Sequence, residues 1–263
     1  MELHLTDKRA LVIGSSKGLG YATARGLALE GVKVAINGRK TPELEKSAEK
    51  LAKESSVEIL ALPGDISEPA VPFQLVEHIV AKWGGLDLLV TNAGGPPAGL
   101  FESLDDLAWE HAIQTTLLSH VRLIRAALPY LRQSQDASIL TITSYSVKQP
   151  IQNLVLSNSI RAATVGLTKT LALELGGYGI RVNSILPAWI DTERTLELDS
   201  YRAHLFDTTL EEVRNNKAKE TALGRMGTPE EFANAAVFLL SPAASYITGV
   251  MLTIDGGLYK GTF

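Results

Sequence analysis

Short β-branched apolar runs alternate with longer helical patterns from one end of this chain to the other. The short runs read as strands and the longer ones as helices, and their regular exchange is the pattern of βαβ units laid into a parallel sheet. Strands are expected at 10–13, 32–36, 57–61, 86–91, 138–143, 180–186 and 250–254, with helices beginning near Leu19, Pro42, Glu68, Leu104, Asn153 and Pro229. Seven strands joined by right-handed crossovers give an α/β, doubly wound parallel sheet with helices on both faces and a ligand crevice at the carboxyl ends of the strands. No linker, repeat or low-complexity segment divides residues 1–263, which read as one domain. One stretch breaks the rhythm. Residues 191–225 are polar and long and contain no strand pattern, which suits a helical flap over the crevice, the alternative being a surface insertion.

Composition adds mainly exclusions. With 45% hydrophobic and 21% charged residues the chain is an ordinary globular protein with enough material for one large core. Its net charge is −4 and its 25 Lys and Arg are scattered, so no basic stripe invites nucleic acid. The absence of a long apolar run and of an apolar leader points to a cytoplasmic protein without membrane partners. No cysteine is present, which removes disulfides and thiolate chemistry, and the five histidines show no metal-ligand spacing, so no metal is expected.

The first candidate chemistry follows the first strand. Gly14-Ser15-Ser16-Lys17-Gly18-Leu19-Gly20 runs directly into a helical pattern, so strand, glycine turn and helix arrive in the order that a pyrophosphate cradle needs. Glycines let the backbone approach the phosphates, and the helix start presents free N–H groups at the positive end of its dipole. At the end of the second strand, where an acid would bind a ribose and repel a 2′-phosphate, the sequence reads Asn37-Gly38-Arg39-Lys40. Arg39 and Lys17 can grip a phosphate, with Ser16 or Asn37 adding hydrogen bonds, so NADP(H) is the expected cofactor. Read alone, Arg39 and Lys40 would be only a solvated cap.

Further motifs recur in order: Gly64-Asp65-Ile66, Asn92-Ala93-Gly94, Ser144, Gly179-Ile180-Arg181-Val182-Asn183, and the glycines from Gly249 to Gly257. Together with the glycine turn they make the chain resemble the short-chain dehydrogenase/reductase family, in particular its 3-oxoacyl-ACP reductase-like members, over essentially its whole length. The resemblance implies a Rossmann-type fold, Asp65 and Ile66 beside the adenine, Asn92, Ala93 and Gly94 along the cofactor, Pro187, Ile190 and Thr192 at the nicotinamide, and Ser144 on the substrate carbonyl. It also implies subunit contacts near 227–231 and 245–249, hence a homotetramer or dimer.

The resemblance breaks in the catalytic half. Family members usually carry Tyr-x-x-x-Lys after the serine, whereas counting on from Ser144 places the tyrosine position on Ser157 and the lysine position on Arg161, with Thr116 where an asparagine is usual. None of the seven tyrosines is followed four residues later by lysine. A serine hydroxyl is a far weaker acid than a phenol, and a guanidinium holds its proton, so Arg161 is expected to hold the nicotinamide ribose without joining the proton path. Ser157 or Lys148 is expected to complete the proton path; a replacement acid is sought in the loop after Ser144, with Lys148 first and Tyr145 second, and an ordinary solvated lysine is the competing reading. Trp189 could wall the pocket or fill core. The expected activity is hydride transfer between NADP(H) and a small carbonyl or alcohol through a non-standard proton relay. The alternatives are an inactive NADP-binding regulator or partner subunit, and a lyase or isomerase that uses the cofactor structurally.

Overall fold

A computed structural model describes residues 2–262. Seven strands alternate with helices: β1 (Arg9–Val12), α1 (Gly18–Leu29), β2 (Lys33–Gly38), α2 (Thr41–Ser55), β3 (Ile59–Pro63), α3 (Val71–Trp83), β4 (Leu88–Asn92), α4 (Asp106–Ile113), α5 (Ser119–Leu131), β5 (Ser138–Ile142), α6 (Val155–Leu175), β6 (Arg181–Pro187), α7 (Glu193–Leu205), α8 (Leu210–Glu220), α9 (Pro229–Leu240) and β7 (Met251–Ile254). The strands form one parallel sheet in the order β3-β2-β1-β4-β5-β6-β7. The expected doubly wound sheet is therefore present, with strand limits shifted by at most two residues. Two of the shifts have local causes. Arg9 enters β1 because it pairs in register with Lys33 and clasps Asp87, and β3 runs on to Pro63, which an edge strand tolerates because one side of its ladder is unpaired.

Alternate residues of each buried strand feed two cores. Ala10, Val12, Val34, Ile36, Leu88 and Val90 face α1 and α9, where Leu27 and Phe232 meet them, while Leu11, Ile13, Ala35 and Leu89 face α3 and α5. The side-chain period of two thus explains why these strands read as continuous apolar runs. Burying strands on both faces requires helices on both faces, which the sequence supplies.

The strand order reverses between β1 and β4, so the loops after these two strands diverge and leave a crevice at their carboxyl ends. Two local features set its walls. Between α4 and α5 the chain takes one π-helical turn, Gln114–Leu118, with no break in direction. The polar stretch 191–225 folds as α7 and α8, held to each other by the Lys217–Asp199 ion pair, while Arg214 on α8 pairs at 2.9 Å with Asp191 just before α7. Among the described residues, no helix is long and apolar enough to cross a membrane.

Candidate active site

The glycine turn is built by close approach. Gly14 and Gly18 have φ of +60° and +62°, in the left-handed region. A Cβ on Gly20 would stand 2.3 Å from the Gly14 carbonyl oxygen, so this residue lets α1 press against the turn. Gly20 does not line the crevice, and its expected contact with a cofactor is corrected to a packing role that holds the cradle's shape. From β4, Asn92 Nδ2 donates to the Gly14 carbonyl at 3.2 Å and fixes the turn across the switch point. A Cβ on Gly18 or Gly94 would meet nothing within 4 Å, so both open onto free space along the crevice. That cradle, at a helix N-terminus and without a side chain in the way, fits a diphosphate.

Most residues singled out for a cofactor line one cavity of about 990 Å³: Gly14, Ser16, Lys17, Gly18, Leu19, Asn37, Arg39, Asp65, Ile66, Asn92, Ala93, Gly94, Pro187, Ile190 and Thr192. Their roles differ from one another. Asn37 is already committed, its amide donating to the Leu62 and Gly64 carbonyls at 2.9 and 3.2 Å, so it ties β2 to β3 rather than offering that amide to a phosphate. Lys17 is ion-paired with Glu193 at the start of α7, which joins the glycine turn to the helix across the crevice mouth. Arg39 stays exposed beside Asp65. Burial works against ionisation of Asp65, but hydrogen bonds from the Ser67 N–H and Oγ and the charge of Arg39 hold its carboxyl below the ordinary range.

The same cavity reaches Ser144, Ser157 and Arg161. Ser144 follows β5 by two residues and accepts the Ser146 N–H at 3.1 Å, so its Oγ caps the short turn that comes next while facing the crevice. Arg161, one turn beyond Ser157 on α6, is only 7% exposed. Its Nε donates to Ser157 Oγ at 3.2 Å, Nη1 to the Thr143 and Ile142 carbonyls at 3.1 and 3.4 Å, and Nη2 to the Ala93 carbonyl at 3.4 Å. Among the described residues it has no carboxylate partner. Burial, with the charge of Arg194 added, pushes its guanidinium down to about 10, so it remains a cation at neutral pH. Because Ser157 Oγ accepts from Arg161, its own hydrogen is free to turn toward the crevice.

Lys148 does not join this group. Its ammonium lies 5.2 Å from the centroid of the Tyr259 ring, and the residue is not part of the crevice wall, so the expectation that it fills the space beside Ser157 is corrected. The turn Tyr145–Val147 carries the chain away before Lys148, and it is Tyr145 that faces inward, edge-on to Trp189 at 5.9 Å. Burial raises the Tyr145 phenol, with Glu220 and Asp255 adding to the effect. Thr116 is fully buried, and its carbonyl accepts from Thr164 Oγ1 at 3.1 Å; its neighbour Thr115 faces the crevice instead.

Several wall residues were not anticipated from the sequence: His111, Thr115, Arg194, Tyr201, Arg202 and Lys217. A signal existed for part of this set. Positions 194, 198, 201 and 202 follow helical spacing, so a helix placed over 193–205 would have turned one face toward the crevice.

A parallel doubly wound sheet whose switch point carries a glycine cradle and opens onto a polar cluster defines an α/β protein of the dinucleotide-binding class. The chain belongs to the short-chain dehydrogenase/reductase family: the family model described as Enoyl-(Acyl carrier protein) reductase matches residues 13–259. It is 33% identical over 255 residues to Tropinone reductase-like 3 of Erythroxylum coca, covering 95% of this chain and 92% of that one. It is 30% identical over 254 residues to the 3-oxoacyl-(acyl-carrier-protein) reductase FabG of Chlamydia trachomatis, covering 97% and 98%. Among solved structures, L-sorbose reductase from Gluconobacter frateurii, complexed with NADPH and L-sorbose, matches with a TM-score of 0.94 and 30% identity over 99% of this chain and 100% of that one.

Proposed function

We propose that this protein is an NADP(H)-dependent oxidoreductase that moves a hydride between the nicotinamide and a small carbonyl or alcohol, using a proton path that differs from the usual tyrosine and lysine pair. The observation that carries the reading is continuity: one cavity joins the glycine cradle, Arg39 and the polar cluster Ser144, Ser157 and Arg161. The NADPH in the sorbose reductase structure supports the choice of cofactor, and Arg39, beside a strand end without an acid, supports the phosphorylated form. When bound, the nicotinamide supplies or accepts the hydride.

The chain's own residues account for the rest. Ser144 orients the carbonyl by hydrogen bonding. Arg161 stands at the lysine position of the family's motif, where its buried charge holds the ribose side of the cofactor and favours the developing alkoxide. Ser157 stands at the tyrosine position and offers its free hydrogen to that alkoxide. The Tyr145 phenol, protonated at neutral pH and already on the wall, is the second candidate donor. A hydroxyl in place of a phenol lowers the rate by about 10²–10⁴, so a slow reductase is expected. We further assign residues 1–263 to one domain in which α7 and α8 form a flap over the crevice. Exposed Leu173, Tyr246 and Met251 support association into a homo-oligomer.

One observation favours a second reading. Arg161 already spends donors on three backbone carbonyls and on Ser157, which suits a cofactor-binding regulator that has lost turnover. NADPH oxidation across a panel of ketones and aldehydes separates the two. Turnover above the rate of a Ser144→Ala, Ser157→Ala variant is the expected result, and tight NADPH binding with no oxidation on any carbonyl would assign the regulator.

A further inference from the structure

Adjoining the crevice is a second cavity of about 590 Å³; the segment Ile151 to Asn153 and the side chains Tyr145, Trp189, Arg202 and Lys217 line both. The charges in this wall are unequally provided for. Lys217 on α8 is buried and ion-paired with buried Asp199 on α7. Glu220 accepts from Trp189 Nε1 at 3.0 Å. Arg202 is half-buried and, among the described residues, has no carboxylate within ion-pair distance; its guanidinium lies 5.4 Å from the centroid of the Trp189 ring, which also carries the Lys217 ammonium at 4.2 Å. Lys260 closes the far side. A guanidinium held beside an aromatic ring keeps its N–H donors available to a planar anion.

We propose that Arg202 is a specificity-determining residue that binds a carboxylate of the substrate, so that the protein acts on oxo acids or hydroxy acids whose acid group reaches past Trp189 into the second cavity. A monoanion suits the site better than a phosphate, because Glu220 lines the second cavity and limits its positive excess. The proposal names the substrate class for the redox site inferred above, and its binding arm stands independently of turnover. Arg202 combines an aromatic neighbour, Trp189, with a place on the walls of both cavities, one of which reaches the reacting centre.

The test uses the full chain with NADPH, a homologous series of straight-chain oxo acids, and their methyl esters. Arg202→Met retains a stem that can pack on Trp189, and Arg202→Lys restores charge without the fork. The acid-over-ester ratio of kcat/KM should fall by about 10- to 100-fold in Arg202→Met, a charged hydrogen bond being lost, and recover in part in Arg202→Lys. In parallel, hexanoate should quench the Trp189 fluorescence saturably, with Trp189→Phe as the blank, and Arg202→Met should abolish the effect. Turnover with equal use of acids and esters, unaltered at Arg202, overturns the carboxylate site and leaves the reductase standing. Arg202-dependent quenching without NADPH oxidation on any carbonyl retains the site and removes the reductase. Absence of quenching in the unmodified, folded protein overturns the proposal directly.

Discussion

Replacing Arg161 by Met isolates the question of why a guanidinium is buried here without a counter-ion. The substitution keeps an unbranched stem of similar reach and removes the charge. Lowering the group from 12.5 to about 10 means that its burial as a cation costs about 3 kcal/mol. Against this stand four hydrogen bonds at 3.1–3.4 Å, each contributing about 1 kcal/mol net. The two terms nearly cancel, so Arg161→Met should unfold in urea within about 2 kcal/mol of the parent. Function has no such compensation: removing preorganised charge from a reacting centre should lower kcat/KM for carbonyl reduction by about 10²–10³. Urea titrations followed by tryptophan fluorescence, together with NADPH oxidation kinetics, read both quantities. A stability loss beyond about 4 kcal/mol, with turnover of the folded fraction unchanged, would refute the reasoning and make Arg161 a strut.

His120 gives a pH prediction. Burial, reinforced by the charge of Arg161, drives its imidazole down to about 3 from 6.5, and its Nε2 has no hydrogen-bond partner. An unfolded chain takes up this proton as pH falls below 6.5 and the native chain does not, so stability should decline from pH 6.5 towards pH 3; His120→Leu should flatten that slope in urea unfolding between pH 7 and 4, and an unchanged slope would assign the acid sensitivity elsewhere. Arg39→Glu should shift the NADPH-over-NADH ratio of kcat/KM by about 10- to 100-fold toward NADH, since it turns a phosphate ligand into a repelling carboxylate; a ratio unaffected by the change would place the 2′-phosphate elsewhere. Gly20→Ala drives a Cβ to 2.3 Å from a backbone oxygen that cannot swing aside, so it should cost about 1–3 kcal/mol of stability and raise the calorimetric Kd for NADPH.

The strands and the cradle are legible in the sequence because their causes are local. A run such as Ala10-Leu11-Val12-Ile13 feeds two cores by simple alternation, and Gly14, Gly18 and Gly20 are demanded by positive φ or by contact within a few residues. Lys148 marks the opposite case. Its proximity in sequence to Ser144 suggested a place in the site, but one short turn after β5 directs Tyr145 inward and sends Lys148 to Tyr259. Asn37 and Lys17 line the crevice, yet tertiary partners, the Leu62 and Gly64 carbonyls and Glu193, take up their hydrogen bonds.

The sequence by itself determined the alternation of strands and helices, the sheet and the position of the phosphate cradle, because periodicity and glycine geometry act over a few residues. Only the tertiary structure decided which side chains share a wall. Arg202 folds back on Trp189, and Arg161 meets Ala93 across 68 residues, through packing of α7 and α6 against loops that the helical spacing does not specify. The charge that each such group carries follows from the burial and partners it acquires there, which no spacing along the chain encodes.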